Sequence, residues 1–124
     1  MTLRRLTAEN VRCLSEVRLE PAGSNLIFGE NASGKTSLLE AIFILGRGRS
    51  FRTATRDALV RDGEDGLTVS GLVSAGSREI PVGIGIAKQR PLSIRVDDKD
   101  ESSVAALAQW VPVQVIDPQI HQLV

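Results

Sequence analysis

The chain has 124 residues, 42% of them hydrophobic, which is enough for the core of one domain and no more. Fifteen Lys and Arg balance fifteen Asp and Glu, so the formal net charge is zero and there is no global basic signature for nucleic acid. No run approaches the ~18 apolar residues of a membrane span. The start, Met1-Thr2-Leu3-Arg4-Arg5-Leu6, lacks the apolar core and cleavage site of a signal peptide, and the lone Cys13 excludes an internal disulfide. The expectation is a soluble, cytoplasmic protein with no zinc site and no membrane partner.

Residues 2 to 8 and 16 to 20 read as two strands joined by a turn around Asn10 to Ser15, with Val17 and Leu19 alternating against Glu16, Arg18 and Glu20. Cys13 is read as a half-buried strand residue. Pro21-Ala22-Gly23-Ser24 breaks the chain before Asn25-Leu26-Ile27-Phe28, an apolar strand candidate. Gly29-Glu30-Asn31-Ala32-Ser33-Gly34-Lys35-Thr36 follows, a complete GxxxxGK[ST] phosphate loop. Lys35 to Leu45 then carries Leu38, Leu39, Ile42, Phe43 and Leu45 at helical spacing.

Strand, loop and helix thus surround the motif in the order its chemistry requires. The glycines let the backbone curl so that successive N–H groups face the β-phosphate. Lys35 supplies a point charge to the β and γ oxygens and Thr36 a hydroxyl to Mg²⁺. The helix N-terminus adds unpaired N–H groups and a partial positive charge. Ser37 and Glu40 are read as helix-surface residues without a chemical role, Glu40 pairing or facing solvent.

Gly46-Arg47-Gly48 stops the helix. Residues 49 to 55 read as an ordered loop and Asp57 to Arg61 as a short helical turn. Arg47, Arg49, Arg52 and Arg56 lie in a stretch with no acidic residue before Asp57. They are candidate contacts to nucleotide or DNA phosphate, since Arg is suited to bidentate pairing. After the turn cluster Asp62-Gly63-Glu64-Asp65-Gly66, three alternating segments, 67 to 73, 80 to 86 and 93 to 96, predict antiparallel strands. Turns fall at Ala75-Gly76-Ser77 and Lys88-Gln89-Arg90-Pro91, and Pro81 suits a strand start or an edge. Asp97, Asp98, Asp100 and Glu101 crowd a later turn. Ser102 or Ser103 can cap a short helix through Trp110, and 113 to 116 is a last apolar strand. Phe51 and Trp110 are assigned to core packing and His121 to the surface. A phosphate-loop helix followed by β structure is not the plain alternating pattern of a nucleotide kinase or GTPase; it predicts an α/β lobe with a mixed sheet and an antiparallel β layer.

Leu-x-x-Leu-x-x-x-Asn-Val-Arg at the N-terminus, the run Leu26 to Ile42 and Gly46-Arg47-Gly48-Arg49-Ser50-Phe51-Arg52-Thr53 together resemble the start of the RecF family. Those proteins are bacterial recombination mediators related to the ATPase heads of structural-maintenance-of-chromosomes (SMC) proteins. The resemblance runs the length of the chain and implies a P-loop NTPase of ABC/SMC-head type. It implies that Gly29 to Thr36 bind ATP, that Thr36 ligates Mg²⁺ and that Arg12 lies near the nucleotide. Gln119 falls where ABC-type heads place a glutamine that senses Mg²⁺ and the γ-phosphate, although RecF relatives commonly carry proline then glutamate there. As partners the resemblance implies duplex DNA near gaps and single-strand junctions, RecR, RecO and the RecA-loading pathway, and a second copy of the head in an ATP-dependent homodimer.

A signature loop and an apolar strand ending in Mg²⁺-binding acids are both missing from these 124 residues. The expectation is that residues 1 to 124 are the N-terminal part of a head domain, with no catalytic residue of their own and ATPase activity expected of the full-length protein. Two other readings stay open: another SMC-type head, which a heptad-rich continuation would mark, and a non-DNA P-loop NTPase such as a kinase or a GTPase. The chain lacks the Asn-Lys-x-Asp of a guanine site.

Overall fold

The computed structural model describes residues 2–12, 14–20, 33–49 and 55–111, with the backbone path alone for residue 2 and residues 33–36. Among the described residues six strands form a single sheet: β1 (Thr2–Val11), β2 (Leu14–Leu19), β3 (Gly66–Ala75), β4 (Arg78–Ala87), β5 (Ser93–Val96) and β6 (Lys99–Glu101), in the order β2-β1-β3-β4-β5-β6. Every pairing among them is antiparallel. The leading hairpin and the later β layer are therefore continuous, joined where β1 meets β3 with Ala8 opposite Val69 and Leu6 opposite Gly71. The strand expected at 25 to 28, the last strand at 113 to 116, Cys13, Phe51, Arg52, Gln119 and His121 lie outside the described residues.

Alternation decides which face is buried. Leu6 and Ala8 of β1, Leu67, Val69 and Val73 of β3, Ile80, Val82, Ile84 and Ile86 of β4, and Ile94 and Val96 of β5 form one apolar face. Against it lie helix α1 (Ser33–Arg47), through Ala41, Ile44 and Leu45, and helix α2 (Ala105–Trp110), through Leu107. The opposite face presents Thr7, Ser70, Gly83 and Arg95 in one cross-strand row, small or polar groups that need no cover. Gly71 is where β1, β3 and α1 converge: a Cβ there would lie 2.9 Å from Leu3 Cδ1 and 3.0 Å from Leu45 Cδ2.

Four local expectations change. β1 and β2 meet in a tighter turn than 10 to 15, because Asn10 and Arg12 take positive φ values of 60° and 54° and Val11 pairs directly with Leu14. β6 is a strand that composition hides, since Lys99-Asp100-Glu101 is wholly exposed and charged; only Asp97 and Asp98, at φ 55° and 65°, make the turn. A short charged terminal strand suits a sheet edge, where it discourages pairing with other chains. Pro81 is the fourth residue of β4, between β3 and β5, rather than at its start. Its carbonyl accepts from the Asp97 N–H at 2.8 Å, so its own nitrogen faces the β5 side just past the last pair, Val82 with Val96. The missing N–H therefore costs the β3 ladder nothing. At α2 the Ser103 hydroxyl accepts from the Ala105 N–H at 3.1 Å, although the helix begins after Val104. Trp110 is half-buried and packs against the core as expected.

Candidate nucleotide site

Helix α1 begins at Ser33, inside the phosphate-loop motif, so Gly34, Lys35 and Thr36 occupy its first turn. The first turn holds no acidic residue. The N–H groups of that turn lack intrahelical acceptors, and with the helix dipole they make a place for an anion. The donor set therefore fits a nucleotide phosphate. Gly29, Glu30, Asn31 and Ala32 lie outside the described residues, and of Ser33, Gly34, Lys35 and Thr36 only the backbone is described.

One turn further along, the helix carries a charge that sequence reasoning misplaced. Glu40 is 1% exposed and Ser37 4%, so neither is a surface residue. Both Glu40 oxygens are engaged by Arg12, Nε donating to Oε1 and Nη2 to Oε2, each at 3.2 Å. Burying a carboxylate carries a large desolvation penalty unless it is both paired and hydrogen-bonded, and a forked guanidinium provides both. A signal was present in the chain: Glu40 is the only acidic residue between Lys35 and Arg47, flanked by apolar residues on either side.

Arg12 is itself fixed by its backbone. Its N–H donates to Leu59 O at 2.9 Å, Arg61 N–H donates to Asn10 O at 2.8 Å, and Val11 bridges Val60. These bonds pin the β1–β2 turn to the 3₁₀ turn Arg56–Leu59, whose Leu59 is fully buried. Arg12, Ala58, Val60, Arg61 and Asp62 line a cavity of about 470 Å³. Two arginines and one exposed carboxylate make it a polar recess suited to a negatively charged or hydrogen-bonding group.

The other candidate arginines lie elsewhere. Arg47 ends α1 with its guanidinium carbon 5.8 Å from the Phe43 ring centroid, a cation–π contact one turn apart. Fifteen residues of helix at ~1.5 Å each put it roughly 20 Å from Ser33. Arg49 and Arg56 are exposed. The structure thus brings Arg12 to the middle of α1, at Glu40, whereas Arg47 lies at the end away from the phosphate-loop motif. Among the described residues no group of three or more His, Cys, Asp or Glu could hold a metal, and no helix is long and apolar enough to cross a membrane.

The AAA domain family matches residues 5–101. Over 124 residues the chain is 36% identical to the DNA replication and repair protein RecF of Shewanella pealeana, a match that covers 99% of this chain and 34% of that protein. The chain thus spans about a third of the length of the curated relatives it matches. It superposes on the solved structure of the recombination mediator protein RecF-ATPrS in the RecFOR pathway with TM-score 0.77 and 36% identity, over 86% of this chain and 29% of that one. An SMC ATPase structure, described in terms of ATP-driven dimerization and DNA-stimulated activation, aligns with TM-score 0.72 at 14% identity over 96% of this chain and 82% of that one. The fold is that of the N-terminal lobe of RecF and SMC ATPase heads.

Proposed function

Because the chain belongs to the AAA domain family, we propose that it is the N-terminal part of an ATP- and DNA-binding recombination mediator of the RecF type, serving DNA replication and repair. The observation that carries the reading is the start of α1 at Ser33, which sets Lys35 and Thr36 in a first turn free of acidic residues. The RecF relatives, at 36% and 38% identity, support the choice within the superfamily.

Gly29, Glu30, Asn31, Ala32, Ser33, Gly34, Lys35 and Thr36 bind the triphosphate, and Arg12 lies beside it. Thr36 and Gln119 would hold Mg²⁺, which when bound supplies charge neutralisation across the β and γ oxygens. Lys35 fixes the same oxygens by charge. The helix dipole and first-turn N–H groups orient the anion with little reorganisation on binding. Catalysis is assigned to groups outside these 124 residues, the signature loop of a second copy and a strand ending in acids. On this reading, carried by the resemblance to RecF, the intact protein forms an ATP-dependent homodimer that holds DNA at gaps and single-strand junctions and works with RecR and RecO to load RecA.

The experiment is a retention assay of the intact protein on gapped duplex DNA with ATP, with ADP and without nucleotide, at fixed salt. ATP is expected to tighten binding to the gapped duplex at least about tenfold over the nucleotide-free protein, a shift that corresponds to about 1.4 kcal/mol of coupling. Retention indifferent to nucleotide would overturn the ATP coupling, and no retention under any of the three conditions would favour a P-loop protein that does not act on DNA.

A further inference from the structure

Glu40 stands four residues beyond Thr36 on α1, one helical turn and ~6 Å of rise from Thr36 and ~10 Å from the helix start at Ser33. It is the only carboxylate of the helix, it is 1% exposed, and Arg12 engages both its oxygens. Arg12 uses Nε and Nη2 for this pair, which leaves Nη1 outside it. The backbone of Arg12 is tied to Leu59 and that of Asn10 to Arg61, so the guanidinium is held from the helix side and from the turn side. A helix that needed only packing at this point would be better served by an apolar residue, because a buried ion pair seldom stabilises more than a hydrophobic replacement of equal volume.

We infer that Glu40 is a positioning residue for the nucleotide: it holds Arg12 in one orientation on the phosphate-loop helix and neutralises the charge that a bare carboxylate would set one turn beyond Thr36. The inference rests on the reading of residues 29–36 as a nucleotide loop. A guanidinium already locked in a fork loses little freedom when an anion arrives, and the forked geometry is something Lys does not reproduce. Glu40 itself touches no nucleotide; its effect passes through Arg12.

The test is a double-mutant cycle on the intact protein, reading the Kd for Mg-ATP together with the thermal midpoint. Glu40→Gln is expected to raise the Kd about tenfold in protein that is still folded, and to add no further weakening on an Arg12→Ala background. Arg12→Lys, which keeps the charge but not the fork, is expected to weaken ATP to a similar degree and serves where Glu40→Gln does not fold. A Kd within twofold of wild type for Glu40→Gln or Arg12→Lys, or the same tenfold loss with Arg12 absent, overturns the inference. Lys35→Ala separates it from the reading beneath. If Lys35→Ala loses ATP while Glu40→Gln retains it, the inference alone fails; if Lys35→Ala binds as tightly as wild type, the nucleotide reading fails and the inference with it.

Discussion

Gly48 decides how the phosphate-loop helix ends. It takes φ +70°, its N–H donates to Ile44 O at 2.7 Å, and a Cβ built on it would fall on Val104 Cγ1 at the approach to α2. Two separate costs attach to a side chain here, left-handed backbone strain and a clash. Gly76, at φ +64° in the β3–β4 turn, has nothing within 4 Å of where a methyl would stand and so isolates the first. We expect Gly76→Ala to lose about 1 kcal/mol and Gly48→Ala about 3 kcal/mol by urea unfolding. Equal losses would mean that the close approach to Val104 yields without cost. At the same scale, Glu40 shows where single residues escape a sequence reading. A charge in an apolar helix announces that a partner exists, but the partner is 28 residues away and only the fold reveals it.

Among the elements, α1 separates two tasks by its length. Its first turn holds Lys35 and Thr36, its second turn meets Arg12, and its far end delivers Arg47 and then Arg49 to the surface roughly 20 Å away. An arginine side chain does not cross that distance within one subunit, so phosphate contact by Arg47 or Arg49 points to DNA rather than to the nucleotide bound by the same loop. Replacing Arg49 or Arg56 by Gln, where the residue touches DNA phosphate, is expected to lower the slope of log Kd against log salt by about one unit for each arginine–phosphate pair removed, with ATP affinity intact. An unchanged slope for both would return them to a solvated face. The Arg47 stacking on Phe43 makes its replacement a less clean test, since packing goes with the charge.

For the molecule as a whole, local pattern revealed more than long-range pairing. Period-two alternation located β2 to β5 and the glycine stop located the end of α1, because both are set by neighbours along the chain. The junction of β1 with β3, which makes one sheet of two expected pieces, joins Thr2 to Ser74 and leaves no mark in either segment alone. β6 was hidden because its residues are all charged and exposed, and the embedded Pro81 is explained only by where β5 ends. Of the candidate site, the phosphate-loop motif is a sequential pattern, and the structure adds to it the start of α1 at Ser33. The Arg12–Glu40 pair was not legible in the sequence, because it is assembled from a turn and a helix that the sheet brings together.

Binding of a nucleoside triphosphate by residues 29 to 36 is read by calorimetric titration of Mg-ATP into intact wild-type and Lys35→Ala protein. No other cationic side chain lies in the motif, so loss of the Lys35 charge on the β and γ oxygens is expected to weaken binding by about a hundredfold or more, with the thermal midpoint unchanged. Equal heats and equal affinity for the two proteins, both folded, would mean that this loop does not bind the triphosphate.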